Sequence, residues 1–304
     1  MKKLDLTKTG VIIGFALTAT ILWGSAYPCI KLGYEWFGIE AQDIPAKLVF
    51  AGIRFLLAGL MTLAFGSAAG KRLLLPQKQN IPGILALGFV MTMLHYIFFY
   101  VGLANTTGVK GAIVYGTSTF FAVLLAAVCY QSDRLNLRKG IGCLLGFAGI
   151  VYVNLGSGGL EGGFSPAGEG SMLIAAVLFA VGNLMSKRLA GREDSVVITG
   201  WQLSVGGFAL LAAGLICRGH LSLVTANGIA LLLYLSLLSA VAFSLWTMLL
   251  KANSMGRVTI FNFLVPIFGV ILSGIILKEA FLTLRNMISL ACVSLGIYLV
   301  NRER

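Results

Sequence analysis

The chain has 304 residues, of which 58% are apolar and only 11% charged, and its mean hydropathy is +0.92. A soluble domain carries about a quarter charged residues, and so few charges could not cover a water-exposed surface. The net charge of +12 would point to a nucleic-acid partner in a soluble chain, but in one this apolar it fits basic loops that orient membrane helices.

The apolar runs then decide the class. A membrane β-barrel alternates over segments of about ten residues. Here the runs are roughly twice as long and lack a two-residue period, so the reading is all-α and polytopic. In chain order they fall at 11–31, 47–66, 82–104, 109–130, 139–155, 170–188, 195–217, 227–250, 257–277 and 285–301, which predicts ten transmembrane helices. Lys2, Lys3 and Lys8 ahead of the first run imitate a signal peptide. No small-residue cleavage site follows, and the run continues through Trp23 and Pro28, so it reads as an uncleaved first span. Pro45 and Pro82 stand near helix starts, and Gly108 and Gly256 at tight connections. The five cysteines read as small buried hydrophobes, not as a metal site or disulfide framework. Gly142-x-x-x-Gly146 reads as close packing inside the chain, with dimerisation as the other reading.

The charges test this count. With both termini cytoplasmic, sixteen Lys and Arg fall on the inner side and six on the outer side. The outer segment 156–169 holds Glu161 and Glu169, and segment 33–46 holds Glu35, Glu40 and Asp43, neither with a positive charge. The expected location is the inner or plasma membrane.

The halves also align with each other. Asn105-Thr106-Thr107-Gly108 falls on Asn253-Ser254-Met255-Gly256 at an offset of 148, and Leu135-Asn136-Leu137-Arg138 on Leu282-Thr283-Leu284-Arg285 at 147. Arg54 falls on Gln202, Asn154 on Asn301, Trp23 on Phe179 and Lys31 on Lys187. The expected organisation is a first five-helix repeat at 1–155, an outer connection at 156–169 and a second repeat at 170–304. Five is odd, so the second unit enters from the opposite side and the repeat is inverted. Inverted repeats characterise secondary transporters.

Leu22-Trp23-Gly24-Ser25 followed by Lys31, the pair Arg54-Phe55, Pro266 followed by Lys278-Glu279, and a short closing helix ending Gly296-Ile297-Tyr298-Leu299-Val300 resemble the EamA branch of the drug/metabolite transporter superfamily. The resemblance covers nearly the whole chain. It implies ten helices in two inverted repeats, a central cavity lined mainly by helices one, three, four, six, eight and nine, and export of small metabolites, amino acids or xenobiotics. Two departures stand out: Ser118 where the repeat register expects the proline seen at Pro266, and Ser132-Asp133 where the second half has Lys278-Glu279.

Polar groups in the membrane middle are functional candidates. No Asp or Glu lies near the centre of any span, which argues against a cation exchanger built on a buried carboxylate. His95, fourteenth in the third span, can donate, accept and titrate near neutral pH; it either meets substrate and protons or packs against a neighbouring carbonyl. Arg54 can snorkel towards the outer face, pair with Glu279 or a loop carboxylate to hold an outer gate closed, or bind a substrate carboxylate. Pro28 and Pro266 interrupt their helices and can act as hinges. The candidate substrate contacts are Trp23, Tyr27, His95, Tyr96, Phe99, Tyr115, Asn183, Trp246 and Asn262; the candidate gating residues are Pro28, Arg54, Pro266 and Glu279. Tyr100, Trp201, Phe243 and Phe263 supply further rings, and Gln202 reads as an interhelical bond.

No H-E-x-x-H, intramembrane aspartate pair or G-x-x-x-x-G-K-[ST] is present, so neither an enzyme nor a nucleotide-driven pump is expected. No catalytic residue, metal or cofactor is assigned. The expected partners are a small organic solute, first an amino acid or amphiphile, and membrane lipid. Proton coupling and facilitated diffusion both stay open, and a lipid flippase or scramblase on the same fold is the alternative function.

Overall fold

The structure, a computed structural model, describes residues 5–70, 73–106, 108–154, 164–277 and 284–302, and these contain helices and no strands. Helix α1 (Thr9–Trp36) is followed by α2 (Ile44–Gly70). A 3-10 turn at Lys78–Asn80 leads without a break into α3 (Ile81–Leu87), a π-helical stretch (Gly88–Leu94) and α4 (His95–Ala104). Helices α5 (Gly108–Gly116) and α6 (Ser118–Cys129) part at Thr117, and α7 (Leu137–Asn154) follows. A π turn at Pro166–Gly170 opens α8 (Ser171–Ala190), then come α9 (Ser195–Ile216) and α10 (Ala226–Ala252). Helix α11 (Met255–Thr259), a 3-10 turn (Ile260–Phe263) and α12 (Leu264–Leu277) run on continuously, and α13 (Leu284–Asn301) comes last.

Among the described residues, seven stretches are long and apolar enough to cross a membrane: Thr9–Trp36, Ile44–Gly70, Lys78–Ala104, Pro166–Ala190, Ser195–Ile216, Ala226–Ala252 and Met255–Ile276. Ile113–Cys129 and Met287–Asn301 are shorter apolar helices. The chain is therefore a multi-span helical membrane protein.

Helix ends are set by caps, not by hydropathy alone. Helix α1 runs past Lys31 to Trp36 because Gly38, at φ +65°, supplies the left-handed residue that turns the chain. The Phe37 and Ile39 amides close that end on the Gly33 and Tyr34 carbonyls. Asp43 accepts the Ala46 amide at 2.9 Å and opens α2, and Asp194 and Thr225 cap α9 and α10.

Small residues let the closest helix pairs meet. Helix α2 lies directly on α9, where a Cβ on Gly52 would strike the Leu211 backbone and one on Gly207 the Leu56 amide. Helix α7 meets α13 through Gly142 and Gly296. A Cβ on Gly142 would come within 2.8 Å of the Gly296 carbonyl, and one on Gly146 would run into the Phe263 ring. The Gly142-x-x-x-Gly146 stripe is thus occupied within the chain.

Candidate functional site

In mid-bundle, rings from six helices form one continuous cluster. Trp23 of α1 stacks edge-on against Phe179 of α8 and against Phe243 and Trp246 of α10, with centroids at 6.5, 5.2 and 5.0 Å. Phe243 meets Phe55 of α2 at 6.4 Å, and Phe55 meets Tyr96 of α4 at 4.4 Å. His95 lies against Tyr96, Phe99, Tyr115 of α5 and Phe179 at 4.5 to 6.1 Å, which closes the circuit. Edge-on contacts of this kind stabilise beyond burial alone, by about 0.5–1.5 kcal/mol per pair.

Three polar side chains, His95, Asn183 and Arg54, anchor hydrogen bonds among the rings. His95, only 2% exposed, pairs through Nε2 with the Tyr115 hydroxyl at 2.9 Å. Its Nδ1 is buried without a hydrogen-bond partner among the described residues. Met91 belongs to the π-helical stretch just before His95, and such bulges re-aim the side chains that follow. The Trp246 indole N–H donates to Asn183 Oδ1 at 2.8 Å, and Asn183 Nδ2 donates to the Phe179 carbonyl at 2.9 Å. Arg54, 3% exposed, donates from Nε to Ser239 Oγ at 3.1 Å and to the Leu235 carbonyl at 3.3 Å, and its guanidinium stands 4.9 Å over the Phe55 ring.

The candidate residues divide accordingly. Trp23, His95, Tyr96, Phe99, Tyr115, Asn183 and Trp246 come together. Asn183 and Trp246 are fully packed and spend their polar atoms on each other and on Phe179, behind the partly exposed rings of Trp23, Tyr96, Phe99 and Tyr115. Tyr27 is 45% exposed and lies across Gly269 of α12. Asn262 sits apart in the 3-10 turn, its buried Nδ2 unpartnered among the described residues. Pro28 is buried inside an α1 that continues beyond it, whereas Pro266 stands just after the 3-10 interruption. Glu279 lies outside the described residues.

Two rings named from sequence fall elsewhere. Trp201 donates its indole N–H to the Leu74 carbonyl at 2.9 Å, and Phe263 packs near Phe120 outside the ring circuit, though in the same apolar core as Trp246. Phe55 and Phe179 belong to the cluster but were not among the candidates. Phe179 was recoverable, since the repeat register sets it opposite Trp23 and the two rings touch. Gln202 bonds Thr92 at 2.7 Å, an interhelical tie.

Membrane-length helices converging on a shared wall of aromatic and hydrogen-bonding side chains make the architecture of a membrane transport protein. The chain belongs to the EamA-like transporter family, whose model matches residues 10–155 and 166–302. It is a transporter and not an enzyme. It is 29% identical to a WAT1-related chloroplastic protein of Arabidopsis thaliana, a match covering 92% of this chain and 66% of that protein. It is also 29% identical to the uncharacterized transporter YvbV of Bacillus subtilis, over 100% of this chain and 94% of the relative. A crystal structure with 19% sequence identity shares the fold at a TM-score of 0.77 over 96% of each chain.

Proposed function

We propose that the protein is a secondary exporter of small organic solutes, working by alternating access around the aromatic wall. The observation that carries this reading is the convergence of rings from α1, α2, α4 and α5 with rings from α8 and α10 on one mid-bundle locus. Rings with few polar anchors suit an apolar or amphiphilic cargo such as a large amino acid. Trp23, Tyr27, His95, Tyr96, Phe99 and Tyr115 are the proposed contacts, with Asn183 and Trp246 holding the wall. Asn262 offers a polar contact from the other half, and Pro28, Pro266 and Glu279 serve the gates.

The reading includes ten transmembrane helices in two inverted five-helix repeats, 1–155 and 170–304, joined through 156–169. Several relationships support it. The tight pairs α2–α9 and α7–α13 each join a helix to its repeat counterpart. Asn105 and Asn253 each donate to the carbonyl four residues back, Val101 and Leu249. Thr117, where α5 and α6 part, falls on Val265, two residues beyond the 3-10 turn at Ile260–Phe263, so corresponding spans are both interrupted. The basic bias of the loops supports an inner or plasma membrane with both termini cytoplasmic.

The test is efflux of an amino-acid and amphiphile panel from proteoliposomes, with and without a pH gradient. Saturable efflux of one solute class is expected, and gradient stimulation would add proton coupling. Movement of lipid with no solute efflux would replace this reading with a flippase or scramblase.

A further inference from the structure

We infer that Arg54 is an anion-binding subsite, so that the cargo carries a carboxylate or similar monoanion beside its apolar body. This rests on the transport reading above and specifies its substrate class.

Arg54 lies ten residues into α2, about 15 Å along the helix from Ile44. A buried cation there is costly unless paired. Among the described residues no carboxylate lies within ion-pair distance of it, and of its nitrogens only Nε is engaged, by Ser239 and Leu235. The second half performs the same tie without a charge. In the repeat register Gln202 takes the place of Arg54, and Thr92 falls on Ala240, one residue beyond Ser239. Gln202 Nε2 donates to Thr92 Oγ1 at 2.7 Å, as Arg54 Nε donates to Ser239 Oγ at 3.1 Å. A neutral carboxamide therefore suffices to join these helices, and the charge of Arg54 exceeds what the joint requires.

The surroundings suit an anion. The Tyr34 hydroxyl is buried without a hydrogen-bond partner among the described residues, and Tyr34 and Tyr100 pack in one cluster with Phe55. Phe55 carries the guanidinium on its face and joins it to Tyr96 and the aromatic wall. An arginine fork takes a carboxylate with geometric specificity, and the rings beside it take an apolar body. One cation matches one negative charge.

The experiment compares 3-phenylpropionate with its neutral isostere 3-phenylpropionamide in proteoliposome efflux, using the wild type, Arg54→Gln and Arg54→Lys. The wild type is expected to prefer the carboxylate by about tenfold or more. Arg54→Gln should bring the ratio to about one, and Arg54→Lys should keep part of it. Equal handling of the two probes by the wild type, or an unchanged ratio in Arg54→Gln, would overturn the subsite while leaving the transport reading standing. If neither probe moves, thermal stabilisation by 3-phenylpropionate decides the subsite, and the solute panel above decides the transport reading. Stabilisation of the wild type but not of Arg54→Gln supports it, and equal shifts or none refute it. If Arg54→Gln does not fold, the same comparison with Arg54→Lys decides it, by a reduced or an unaltered preference.

Discussion

His95 Nε2 and the Tyr115 hydroxyl lie 2.9 Å apart and join the start of α4 to α5 inside a shell of rings. One of the two must donate, so the bond couples the imidazole tautomer to the phenol rotor. Tyr115→Phe leaves that ring nitrogen buried and unsatisfied, which should cost about 1–3 kcal/mol in detergent-phase unfolding. His95→Ala should weaken solute efflux; unaltered rates and pH profile would remove His95 from the transport mechanism.

Asn183 and Trp246 form the second joint, through the 2.8 Å indole bond. Asn183→Leu strands the indole N–H, and Trp246→Phe strands the carboxamide oxygen. Each should cost about 1–3 kcal/mol, with the second also losing ring contact to Trp23. The double variant should be less damaged than the sum of the singles. A coupling of about 0.5–3 kcal/mol in the four-member thermal-unfolding cycle is expected, and strict additivity would deny the bond.

The α7–α13 crossing should separate two glycines on one helix. Gly142→Val places side-chain atoms against the Gly296 carbonyl and the Val300 methyl, and should lower stability by about 1–3 kcal/mol. Gly140 has no neighbour within 4 Å of an added Cβ. Gly140→Ala should therefore be neutral or stabilise by up to about 1 kcal/mol, since alanine is the better helix former. Thermal unfolding of the purified variants distinguishes the two, and equal effects would contradict this packing.

Glu193, between α8 and α9, supplies the pH-dependent term. Burial alone would raise its carboxyl, but the Gln77 and Asp194 amides, the Asn80 side chain and the nearby Lys251 outweigh that and hold it below the usual 4.5. The Gln77 amide donates at 2.8 Å and the Asn80 carboxamide at 3.1 Å, so the carboxylate ties the chain ahead of α3 to the α8–α9 turn. A folded-state pKa lowered from the unfolded value contributes stability that is present above the unfolded pKa and lost as pH falls through the folded one. The wild type should therefore lose stability more steeply below about pH 4.5 than Glu193→Gln does. Parallel melting-temperature profiles of the two proteins across that range would exclude the contribution.

Much of this was legible in the chain itself. Composition and the length of the apolar runs determine a multi-span helical membrane protein, because only helices satisfy the backbone in hydrocarbon at such lengths. The order of Trp23, Arg54, Pro266 and the closing helix carried the family, and most of the aromatic candidates did meet. Helix phase was not legible, because in lipid both the packed and the outward faces are apolar and no polar stripe marks the interior. Hence Trp201 and Phe263 looked equivalent to Trp246, and Phe55 stood out only beside Arg54, as part of the family resemblance. The π-helical turn before His95 left no sequence signal that periodicity could detect. Only the packed structure decided that Asn183 serves Trp246, that Gly142 meets Gly296, and that Arg54 uses a single nitrogen on Ser239. Those relationships depend on the rotation of each helix against its neighbours, which local sequence does not encode and close packing of the whole bundle does.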